Sequence, residues 1–132
     1  MYKTVRAFVD QVNNEAATTF FAEGIQKWYE YTQKDAEKKR GLEKAREFAD
    51  EDLTEVICGK TSFYQGEKYY LISGIFTNYL IDIYGLNRFK ELYKYSIYNI
   101  DVLQGFIKIY GKPLSEILAN YRNWLLPSEA EN

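Results

Sequence analysis

Histidine is absent from these 132 residues, and cysteine occurs once. A lone Cys58 can form neither an intramolecular disulfide nor a cysteine-based metal knuckle. Activating its thiol would take a neighbouring imidazole or a basic pocket, and the chain has no imidazole. Flanked by Val56, Ile57 and Gly59, Cys58 reads as a small buried hydrophobe at a helix end. Proline and glycine are sparse, at 2 and 8 residues, so only the tail 128–132 has the composition of a disordered segment. Neither sign of charge dominates: the net charge is −2 and the pI near 5.3, which gives no electrostatic ground for binding nucleic acid. No apolar run approaches the ~18 residues of a membrane span. The longest apolar-rich stretch, 69–84, is broken by Ser73, Asn78 and Asp82. The opening Met1-Tyr2-Lys3-Thr4 lacks the apolar core of a signal peptide. A cytoplasmic location is therefore expected for the chain as it stands, and an extracytoplasmic one if it is excised from a longer precursor.

What is present suits one core. At 46% hydrophobic the chain has the material for a single domain over residues 1–127, with 128–132 as a flexible tail. Aromatics reach 17%, with 13 tyrosines. Tyrosine buries a ring while keeping a hydroxyl wet, so this content reads either as a wide amphipathic surface or as a Tyr-lined core.

Helical spacing dominates the hydrophobic pattern. Val5, Phe8, Val9 and Val12 recur at i, i+3, i+4, i+7 and predict an N-terminal helix. A second helix is expected over about 15–33, burying Phe20, Phe21, Ile25, Trp28 and Tyr29. Gly24 inside it costs about 1 kcal/mol relative to alanine, which close packing against another backbone would explain. The charged stretch 34–52 reads as one solvated helix, or two hinged at Gly41, held down by Leu42, Ala45 and Phe48. Its Lys38-Lys39-Arg40 triplet is offset by interleaved acids. A short helix over 52–58 and a loop over 59–68 follow. Leu71, Ile72, Ile75, Phe76, Tyr79, Leu80 and Ile83 then form the strongest apolar stripe, closed by Gly85. A short helix over 87–94 buries Phe89, Leu92 and Tyr93. Asp101 caps a helix burying Leu103, Phe106, Ile107 and Tyr110 and ending at Gly111. Pro113 opens the last helix, with Leu114, Ile117, Leu118, Tyr121, Trp124 and Leu125 inward. The expected fold is all-α, a bundle of about six to eight helices, cored by Phe21, Trp28, Ile72, Phe76, Leu80, Phe106, Leu118 and Trp124.

Several segments together resemble a known family. Glu23-Gly24-Ile25 on the second helix is similar to the Glu-Gly-hydrophobic motif of gluzincin metallopeptidases. Arg6-Ala7-Phe8-Val9-Asp10 falls where their His-Glu-x-x-His helix stands. Tyr69-Tyr70, Ser73-Gly74, Phe76, Tyr79-Leu80 and Tyr84-Gly85, then Gly111, Pro113-Leu114-Ser115-Glu116, Leu118 and Asn123-Trp124-Leu125, resemble the helical C-terminal subdomain of that peptidase-MA-like group. The resemblance spans roughly residues 5–126 and implies the helical half of a gluzincin with its zinc site lost. Arg6, Asp10 and Glu23 would be the vestigial metal positions, with no cofactor bound. The β-rich lobe that precedes the metal helix in the family has no counterpart in the chain.

Within that frame Arg6 either pairs with Glu23 or Asp10 in place of a metal, or all three are surface charges. A hard cation on Asp10, Glu15 and Glu23 is opposed by Arg6. The functional reading is a non-catalytic, peptidase-like domain with a binding or regulatory role. Its alternatives are a C-terminal fragment of a larger or split metallopeptidase whose histidines lie elsewhere, and an unrelated all-α interaction module. A missing lobe would leave the first two helices partly uncovered, so a homodimer or protein partner is expected over Tyr2, Phe20, Trp28 and Tyr31.

Overall fold

The structure is a computed structural model that describes residues 19–59, 63, 67–99 and 101–127. The expected N-terminal helix and the tail lie outside the described residues. Seven helices and no strand occur among the described residues: α1 (Thr19–Gln33), α2 (Asp35–Glu47), α3 (Thr54–Ile57), α4 (Lys68–Tyr84), α5 (Leu86–Tyr98), α6 (Val102–Tyr110) and α7 (Leu114–Leu125). The all-α expectation holds. No helix is long and apolar enough to cross a membrane, among the described residues.

Helix α4 is the hub, because every residue from Leu71 to Leu80 is buried. A segment buried on all sides, with Ser73, Thr77 and Asn78 among its residues, needs cover on all sides, and α1, α2, α5 and α7 supply it. Helix α1 buries Phe20, Phe21, Gly24, Ile25, Trp28 and Tyr31, one helical face. Gly24 sits against α4, where a Cβ would come within 3.0 Å of the Ser73 carbonyl oxygen. The close packing expected of this glycine is therefore real, and the lost propensity is exchanged for a close α1–α4 approach.

Helix α2 is thinly apolar and rests on the body through Gly41 and Ala45, with acids in its first turn and bases in its last, complementing its dipole. It runs unbroken through Gly41, so the hinge alternative is wrong. The glycine instead makes room for a ring, as described below.

The termini follow their local chemistry. Gly85, at φ 94°, separates α4 from α5 and donates its N–H to Ile81 O at 2.8 Å. Asp101 Oδ1 accepts from the Gln104 backbone N–H at 3.2 Å and starts α6. Gly111 takes the left-handed conformation that ends it.

Five inward assignments need correction. Ile83 is 52% exposed, beside the exposed Asp82, while its neighbour Tyr84 takes the covered side of the last turn against Tyr110. Leu103 and Ile107 are also exposed, at 41% and 46%. Gly105 is the reason: a Cβ there would lie 2.7 Å from the Tyr95 ring, so that ring packs directly on the α6 backbone. The buried face of α6 is thereby Val102, Gly105, Phe106 and Tyr110, and Leu103 and Ile107 rotate outward. Leu118 and Trp124 pack against the core only partly buried. The core itself is strongly aromatic: Phe76 lies 6.0 Å from Phe20, 5.1 Å from Tyr121 and 6.3 Å from Tyr79 between ring centroids. In the loop before α4, Phe63 is buried and lies 4.8 Å from Tyr70. Lys68, expected at the end of that loop, is already the first residue of α4.

Candidate functional site

Of the residues assigned to a vestigial metal site, Arg6 and Asp10 lie outside the described residues, as do Tyr2 and Glu15. Glu23 is half-buried on α1. Burial pushes its carboxyl above the usual carboxylate value. Among the described residues no three Cys, Asp or Glu side chains converge as metal ligands.

The partner surface expected over α1 is corrected by burial. Phe20, Trp28 and Tyr31 are 1%, 7% and 2% exposed, covered by their own chain. Helix α1 is apolar on more than one side because α3, α4 and the loop residue Phe63 surround it, as the ring contact of Phe20 with Phe63 at 6.2 Å illustrates. Tyr31 donates its hydroxyl to Leu71 O at 3.0 Å, and burial, with Glu37 and Glu30 adding to it, drives its phenol well above its ordinary pKa. The polar edge of α1 carries Lys27, which bridges Glu30 at 2.7 Å and Glu37 at 3.2 Å. Glu37 also receives Arg40 at 2.8 Å, and Arg40 reaches Glu67. These groups knit α1 to α2 and to the start of α4, which accounts for the charged stretch as a structural face.

The feature that sequence reasoning missed is a cleft of about 190 Å³ between the α2–α3 turn, residues 49–53, and the α7 residues Leu118, Ala119, Tyr121 and Arg122. Each wall forms for a local reason. Asp52 Oδ1 accepts from the Thr54 backbone N–H at 2.9 Å and from its hydroxyl at 2.7 Å, fixing the turn into α3. These two bonds, the hydroxyl's first, hold the Asp52 carboxyl below its usual range. Helix α7 presents Leu118, Tyr121 and Arg122 at i, i+3, i+4, one face. Arg122 pairs with Asp50 across the mouth.

Inside, Glu51 uses one oxygen for two donors: Oε1 accepts from Lys68 Nζ at 3.1 Å and from the Tyr69 hydroxyl at 2.8 Å. Its Oε2 is buried without a partner, and so is the hydroxyl of Tyr121, a residue only 5% exposed. Burial raises the Tyr121 phenol, so it stays protonated. The one available signal was the run Asp50-Glu51-Asp52 closing the charged stretch, and its opposite wall lies about seventy residues downstream, beyond any periodicity. No family model, curated protein or solved structure matches this chain.

Proposed function

We propose that this chain is a non-catalytic, peptidase-like helical domain with a binding or regulatory role. The observation that carries the reading is the complete lack of histidine in a chain whose segments resemble a gluzincin. Zinc proteolysis needs imidazole nitrogens with a carboxylate on the metal, and a second carboxylate to take the proton of the bound water. At the corresponding places the chain offers Arg6, Ala7 and Asp10, a cation and a methyl group where ligands and base would stand.

The packing of α1 supports this reading. The resemblance puts Glu23-Gly24-Ile25 on a helix held tightly against the helical body, and Gly24 is pressed on Ser73 of α4. Glu23, the family's third ligand position, remains a half-buried carboxylate whose charged form burial disfavours. A carboxylate by itself does not supply the neutral nitrogen donors that a catalytic zinc requires.

The test is a cleavage assay of the purified full chain with added Zn²⁺ and a mixed-sequence fluorogenic peptide pool at neutral pH. The expected result is no turnover above a zinc-only control. Turnover that disappears in Glu23→Gln would overturn the proposal.

A further inference from the structure

We infer that the expected N-terminal helix, residues 5–12, docks on the exposed apolar side of α6, with Val5, Phe8, Val9 and Val12 covering Leu103 and Ile107. This inference rests on the apolar pattern and the path of the chain, and not on the peptidase resemblance.

The open surface adjoins the core. Leu103 and Ile107 are 41% and 46% exposed and stand at i and i+4, on one side of α6. At about 100° per residue they lie about 60° and 100° round the helix from the buried Phe106. Tyr95 of α5 occupies the opposite flank, against Gly105. Among the described helices α6 packs chiefly on α5 and α7, and the side bearing Leu103 and Ile107 is left to water.

The path of the chain selects the occupant. Helix α1 begins at Thr19, and its Phe21 ring lies 6.2 Å from that of Phe106 and 6.1 Å from that of Phe89. The chain therefore enters α1 beside α6. Residues 13–18 separate Val12 from Thr19 and can span about 20 Å when extended, which puts the face of α6 within reach. A helix over 5–12 would be about 12 Å long, close to the length of about 13 Å that nine residues give α6.

The two faces complement each other. Val5, Phe8, Val9 and Val12 form one stripe, while Arg6, Asp10 and Gln11 fall on the other side of the same helix. A helix this short does not persist alone in water, so the stripe needs a surface to form against. A second copy of the chain is the poorer occupant of α6. The short connection holds the segment at an effective concentration on the order of millimolar, which a separate chain at lower concentration cannot match.

The experiment is methyl NOE spectroscopy of the full chain at neutral pH, with valine, leucine and isoleucine methyls labelled. Cross-peaks are expected from Leu103 and Ile107 to Val9 and to Val5 or Val12. A sample mixing differently labelled chains separates contacts within a chain from contacts between chains. The double variant Leu103→Lys, Ile107→Lys gives a second readout. Both side chains already face water, so the fold should remain, as circular dichroism checks. Chymotrypsin cleavage after Phe8 follows the undocked population and should run about tenfold faster or more in that variant, the scale of exposing one large apolar side chain. Three results would each overturn the inference: no cross-peak from Leu103 or Ile107 to residues 5–12, cross-peaks that arise only between chains, or unchanged cleavage after Phe8 in the folded double variant.

Discussion

The Tyr31 ring lies directly over Gly41, so close that a Cβ added to Gly41 would stand 2.7 Å from the ring carbon Cζ. Gly74 of α4 makes room for the same ring, with an added Cβ 2.6 Å from Cε2. Three helices thus meet at one tyrosine, whose hydroxyl is tied to Leu71 O. This junction explains why a glycine interrupts neither α2 nor α4, and why Tyr31 faces the core.

Gly41→Ala should therefore destabilise the protein. Alanine gains up to about 1 kcal/mol in helix propensity. Overpacking against a ring held by a hydrogen bond costs about 1–3 kcal/mol, so the net loss should be up to about 2 kcal/mol. Urea unfolding followed by circular dichroism measures it. A rise in the midpoint would mean that the ring moves aside freely.

Phe76→Ala and Trp124→Ala should separate core from periphery. Phe76 is fully buried among Phe20, Tyr79 and Tyr121 and should cost about 3–5 kcal/mol. Trp124 packs on Tyr79 and Tyr121 but is only partly buried. Its loss should be clearly smaller, and equal losses from thermal or urea unfolding would contradict the burial pattern.

Glu23 gives a prediction with a definite pH dependence. Burial raises its carboxyl pKa in the folded chain. Such a group favours folding below its unfolded pKa and loses that contribution as pH rises through the higher folded value. Glu23→Gln should thus be as stable as the parent or more so at neutral pH. The gap should close as pH falls through the folded pKa toward the ordinary carboxylate value. A variant less stable at neutral pH would instead show Glu23 in a productive ion pair, the arrangement with Arg6 that the resemblance suggests.

Local signals in the sequence specified most of the helical frame. Asp101 caps α6, Gly111 ends it and Pro113 precedes α7, each through its own backbone chemistry. The stripe from Leu71 to Leu80 likewise marks α4 as central. Rotational detail was not legible, because it depends on which glycine receives a neighbouring ring. Tyr95 on Gly105 turns Leu103 and Ile107 outward, and Tyr31 on Gly41 turns an apparent hinge into a contact. Nor was the partner surface legible: the apolar content of α1 that suggested one is absorbed by α3, α4 and Phe63. The cleft joins Asp50 to Arg122 across 72 residues, a pairing that only the folded chain creates.

The most direct test of the functional reading is calorimetric titration of the purified full chain with Zn²⁺ at neutral pH. Without an imidazole, and with Arg6 at a vestigial ligand position, no stoichiometric binding tighter than about 1 μM is predicted. One zinc per chain, bound below that concentration and retained through dialysis against a weak chelator, would contradict the account.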